Sequence, residues 1–238
     1  MSLVPTVLLW IHVAAGMTAL SVFWLPMVAR KGGPLHRRVG WVYVGAMAAV
    51  AVTGIAMCGW QLATNRSASL PSYLFLGYVG VLSWASASLG VRVLRAKSRT
   101  AAHRHPYDLG LPVVLILAAV GILSYGVVLR APLLMGFAPV GLLVGGSQLR
   151  YWLRPPTTRM HWWYEHLGAM VGSSIGALTA FLVVNAHRLG LNGFQLWLWL
   201  TPTVVGVVGM RLWVRHYQRR FEARPAPARG PVATRATP

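Results

Sequence analysis

Seven long apolar stretches, separated by short gaps that are basic in strict alternation, decide what this chain can become. They cover residues 4–28, 41–63, 73–93, 109–129, 133–149, 162–186 and 194–214. A helix needs about 20 mostly apolar residues to cross a hydrocarbon layer of about 30 Å. Spanning strands would instead alternate polar and apolar residues over about 10 positions, and these runs do not alternate. The sequence therefore predicts an all-α membrane protein, a bundle of seven transmembrane helices. The fifth stretch is the shortest, and Pro132 or Pro139 is expected to start or kink it.

Charge orients the bundle. Of 22 Lys and Arg, all but Arg66, Arg130 and Arg188 fall in the first, third and fifth gaps or at the C-terminal end. Basic residues accumulate on the cytoplasmic side, so the N-terminus is expected outside and the C-terminus in the cytoplasm. The location that follows is a cell membrane, inner or plasma, crossed several times. No basic residue precedes the first run, and that run is too long for a signal-peptide core, so it is read as the first helix. Residues 1–217 form the membrane domain. Residues 218–238, rich in Pro, Ala and Arg, bury too little apolar surface to order themselves and form a basic tail.

A pI near 11.7 would suggest nucleic acid in a soluble chain. Here the basic residues adjoin apolar runs and no nucleic-acid motif is present, so membrane lipid is the expected partner and nucleic acid is not. Arg30, Lys31, Arg37 and Arg38 are the expected headgroup contacts. A single cysteine, Cys58, excludes an internal disulfide and any cysteine metal cluster. Retinal is excluded as well: a Schiff base needs a lysine in the last helix, and the only lysines are Lys31 and Lys97.

The chain has three acidic residues, and one, Glu165, lies within the sixth run between His161 and His166. A charged side chain at membrane depth is costly. Glu165, Gly168, Gly172, Gly176 and Thr179 share one helical stripe, and small residues at that spacing admit a neighbouring helix. Glu165 and His161 are expected to face the bundle. On the first helix His12 shares a face with Ala15, Gly16 and Ala19 and is expected to do the same. The plain alternative for Glu165 is a charge pair with Arg159 or Arg104, and for His12 an interhelical hydrogen bond.

His36, His103, His105, Asp108, His161 and His166 are all expected at the same membrane face as Glu165. Imidazole and carboxylate suit zinc, iron or another divalent metal, so Glu165, His161, His166, His36, His103, His105 and Asp108 form a candidate metal group. Two haems would need paired histidines at matched depths on facing helices, which the deep histidines do not supply. A single haem with an unusual ligand stays open.

Residues 31–47 read KGGPLHRRVGWVYVGAM, preceded by LLWIHVAAGMTAL. These segments resemble a family of uncharacterised bacterial multi-pass membrane proteins. Its members have an intramembrane His in the first helix and a basic loop of the form His-Arg-Arg-x-Gly-x-x-Tyr, here His36, Arg37, Arg38, Gly40 and Tyr43. The likeness is strongest over the first two helices. It implies the architecture and no reaction. Gly40 is expected to permit a tight entry into the second helix. Three functions stand: a membrane protein, non-catalytic or redox-active, with a metal or haem; a proton-coupled carrier or sensor using Glu165 and His12; and a structural assembly factor. Whether the chain is an enzyme is undecided by its sequence.

Overall fold

The computed structural model describes residues 3–64, 70–191 and 196–222. Among them every regular element is helical: α1 (Leu3–Val22), α2 (Leu25–Val28), α3 (Pro34–Thr64), α4 (Leu70–Arg92), α5 (Pro106–Val128), α6 (Pro132–Leu153), α7 (His161–Asn185) and α8 (Leu196–Glu222). Seven spans among the described residues are long and apolar enough to cross a membrane, α1 and α2 together making the first.

Proline and local capping set the helix ends. Pro26 sits in the first turn of α2, where its missing N–H costs nothing, and separates α2 from α1. Gly32, at φ +75°, turns the chain before Pro34 opens α3. The basic motif thus occupies the first three turns of α3, not a loop as expected from the sequence. The Gly32–Gly33 turn makes the entry assigned to Gly40. Pro132 starts α6, and Pro139 is carried inside that helix. The α5–α6 link is a Schellman turn: Ala131 N–H bonds the Gly126 carbonyl at 2.8 Å and Arg130 N–H bonds Val127 at 3.2 Å. Arg130 takes the left-handed conformation (φ 50°) that the turn demands. The last helix reaches Glu222, beyond the expected domain boundary at 217; residues 223–238 of the expected tail lie outside the described residues.

α4 is the hub, packing on α3, α5 and α7, with α1 beyond α3, α6 beside α5 and α8 beyond α7. Its run from Ser83 to Gly90 is almost wholly buried and, Trp84 and Leu89 apart, built of small residues, which lets three helices approach closely. α5 and α6 meet where a Cβ on Gly145 would lie 2.7 Å from Ile116 Cγ1 and 3.0 Å from the Pro112 carbonyl. Tyr78 of α4 repairs the α6 backbone around Pro139: its hydroxyl donates to the Phe137 carbonyl (2.9 Å) and accepts from Gly141 N–H (2.8 Å). Those two groups would pair with each other in an uninterrupted helix. Phe75, Phe137 and Trp199 form edge-to-face contacts that tie α4, α6 and α8 together.

Candidate functional site

The ends of the helices that carry the basic residues converge. Arg99 caps the C-terminus of α6, with Nη1 and Nη2 donating to the carbonyls of Tyr151 (2.9 Å), Arg154 (2.8 Å) and Ala101 (3.1 Å). The Tyr151 and Arg154 carbonyls are groups that a helix end leaves without intrahelical partners, whereas that of Ala101 belongs to Arg99's own segment. The guanidinium also lies over the Tyr151 ring, and His103 N–H bonds the Trp152 carbonyl at 2.8 Å. Lys97 sits over Trp162 of α7 and Lys31 over Trp213 of α8.

Asp108 lies in the first turn of α5 and is 4% exposed. Arg92 grips it with a two-pronged fork, Nε to Oδ1 at 2.7 Å and Nη2 to Oδ2 at 2.6 Å, and His103 Nε2 donates to Oδ2 at 2.9 Å. His105 caps α5 through Nδ1, which accepts the Tyr107 N–H, and its ring stacks on His103. The carboxylate oxygens are therefore committed to a cation and an imidazole. This cluster is an ionic clasp between α4 and α5.

His161 is buried (8% exposed) and its Nδ1 bonds the Tyr151 hydroxyl at 2.9 Å. Glu165, one turn on, makes no ion pair or hydrogen bond with a described side chain, and its charged neighbour is Arg99. The expected pairing with Arg159 or Arg104 is replaced by this looser relation, because Arg99 is held in place by the α6 carbonyls.

The third grouping joins α3 to α7. His36 Nδ1 bonds the Pro26 carbonyl at 3.0 Å, and His166 Nδ1 bonds the Gly90 carbonyl at 2.6 Å. A carbonyl only accepts, so both Nδ1 atoms carry the proton and each neutral ring keeps its lone pair on Nε2. The two ring centroids are 6.2 Å apart, at an interplanar angle of 57°. Seven residues deeper on each helix, Tyr43 OH bonds Ser173 Oγ at 2.7 Å and accepts from Ser174 at 3.0 Å. His36 and Tyr43, the two ends of the sequence motif, thus lie on one face of α3 and both meet α7. Gly40 lies between them, and a Cβ there would meet nothing within 4 Å. Lys31 Nζ shares the Pro26 carbonyl at 3.0 Å and also reaches that of Met27; burial lowers the pKa of its ammonium. It is turned inward, unlike Arg30, Arg37 and Arg38, which are exposed. Midway along the first span, His12 Nδ1 bonds Thr53 Oγ1 at 3.0 Å, an interhelical bond between α1 and α3.

The seven candidate ligands are thus divided among three groupings: His103, His105 and Asp108; His161 and Glu165; His36 and His166. Among the described residues no three His, Cys, Asp or Glu gather to hold one metal ion. The sequence sets His36 and His166 in one group of seven without singling out the pair, because His36 was expected in a gap and not on a helix. The i, i+7 spacing of His36 and Tyr43, with the same spacing of His166 and Ser173, was the available signal. Among the described residues the fold is all-helical with seven spans long and apolar enough to cross a membrane, which suits a multi-pass membrane protein. No protein-family model matches the chain, and no curated protein or solved structure is significantly similar to it.

Proposed function

We propose that this is a membrane protein holding one transition metal between His36 and His166. The carrying observation is that each imidazole donates its Nδ1 proton to a backbone carbonyl. That arrangement fixes the tautomer, raises ligand basicity and leaves Nε2 available, as is usual for metal-bound histidine. Among the described residues no serine or cysteine is bonded to either ring, so nucleophilic catalysis is not what the pair suits. The second reading, a proton-coupled carrier using Glu165 and His12, is less well supported: His12 is engaged with α3 through Thr53, and no described hydrogen-bond chain leads from there to Glu165. The resemblance through His36, Arg37, Arg38, Gly40 and Tyr43 belongs to the same proposal, with the N-terminus outside, the C-terminus cytoplasmic and the histidine pair on the cytoplasmic side.

The test is metal content of the purified protein by mass spectrometry, for wild type and for His36→Ala, His166→Ala, His12→Ala and His103→Ala. The first two should lose a stoichiometric metal and the last two should keep it. Metal retained in both His36→Ala and His166→Ala would overturn the reading. A cytoplasm-only reporter fused after Pro238 should be active; inactivity there would reverse the placement of the site.

A further inference from the structure

We infer that a small cavity between α4, α5 and α6 is a binding site for one water molecule, held by Gln148 and the hydroxyl pair of Ser88 and Tyr107. The inference is independent of the histidine pair, since neither His36 nor His166 lines this cavity. Its walls include Ser88 and Arg92 of α4, Tyr107 and Asp108 of α5, and Gln148 and Trp152 of α6.

The carrying observation is an amide without a partner. Gln148 is 3% exposed, yet its side chain hydrogen-bonds no described residue. A primary amide brings two N–H donors and an acceptor oxygen, and burying it unpaired is costly. Among the described residues the unpartnered polar atoms sealed away from any space are Arg99 Nε, His161 Nε2 and Thr179 Oγ1. The amide of Gln148 is not one of them, and the space that Gln148 lines is this cavity.

Two further groups on the wall can complete the site. Ser88 Oγ and the Tyr107 hydroxyl lie 2.9 Å apart. One proton serves that bond, so the pair keeps the other to give to a third group. Pro112 frees an acceptor: it has no N–H, so the Asp108 carbonyl, four residues earlier in α5, lacks its usual helical donor. Pro112 lines the cavity as well.

Size and charge select water. The cavity measures about 10 Å³, the room of a single water. A buried water makes about three hydrogen bonds, and the amide, the hydroxyl pair and the freed carbonyl offer that number. A cation would meet Arg92, whose guanidinium already answers both Asp108 oxygens while His103 adds another bond. An anion would meet the carboxylate itself. A neutral molecule of one heavy atom fits both limits. It joins the end of α6 to the clasp between α4 and α5, as Tyr78 joins the start of α6 to α4.

The experiment is a crystal structure of the full-length protein at a resolution that shows ordered water, with melting temperatures of variants in detergent. A density peak should lie within about 3.2 Å of the Gln148 amide and of one more of these groups; a cavity without density would overturn the inference. Gln148→Leu keeps the size and removes the bonds, so it should lower the melting temperature by about 2–6 °C. An amide with no water to bond would respond in the opposite direction, and a raised melting temperature in Gln148→Leu would overturn the inference. Gln148→Leu and Tyr107→Phe together should cost less than the sum of the two, because both remove the same bridge; additive shifts would show that nothing links them. The melting temperature should be equal in sodium chloride and choline chloride, and a rise confined to sodium would put a cation in the cavity instead of water.

Discussion

Asp108→Asn is the sharpest test of how the basic end is held together. The substitution keeps the shape and one oxygen but removes the charge that two Arg92 nitrogens and His103 address. Removing one partner of a buried ion pair costs about 3–5 kcal/mol, because the other charge is left uncompensated. Arg92 keeps 23% of its side chain exposed while Asp108 keeps 2%, so partial solvation of the orphaned guanidinium argues for the lower end, about 3 kcal/mol. For a chain of this length each kcal/mol moves the melting temperature by about 2–4 °C, which gives a fall of roughly 6–12 °C. Cys58, the only cysteine and a buried one, supplies the assay: a thiol-reactive fluorophore reports unfolding in detergent without any added label. Arg92→Gln alone, and together with Asp108→Asn, closes a double-mutant cycle that should return a coupling well above 1 kcal/mol. A fall of under about 3 °C, the effect of a solvent-exposed pair, would show that the clasp contributes little and that its burial has been misjudged.

Tyr78→Phe should lower stability by about 1–3 kcal/mol, since it strands the Phe137 carbonyl and the Gly141 N–H beside Pro139 in α6; a melting temperature equal to wild type would refute that repair. Glu165→Gln should leave the melting temperature unchanged or raise it, because no ion pair is lost; a drop comparable to that of Asp108→Asn would reveal a partner for this carboxylate. Gly145→Ala should cost about 1–3 kcal/mol by pushing α6 off α5, where the Pro112 carbonyl cannot yield, whereas Gly136→Ala, with open space around it, serves as the neutral control. A neutral Gly145→Ala would mean that the two helices separate freely.

The number and approximate extent of the membrane spans were legible in the chain because they depend on apolar length, a property each segment carries by itself. The same holds for the inward faces of His12 and His161, which follow from the helical repeat. Helix ends were less legible. Pro34 starts α3 seven residues before the apolar run begins, so polar His36, Arg37 and Arg38 belong to a helix that hydropathy cuts short. Partners were not legible at all. Five histidines and two acids share one end of the bundle, and sequence spacing treats them as one group. Tertiary packing divides them: the α6 carbonyls hold Arg99 near Glu165, Arg92 claims Asp108, and the carbonyls of Pro26 and Gly90 hold His36 and His166 together. The bonds of Arg92 to Asp108 and of His166 to Gly90 join α4 to α5 and α7, Arg99 reaches α6 from the segment between α4 and α5, and that of His36 to Pro26 spans the turn between α2 and α3. The reason is physical. Burial in lipid depends on a segment's own composition, whereas the partner of a polar group depends on which helices α4 brings beside it.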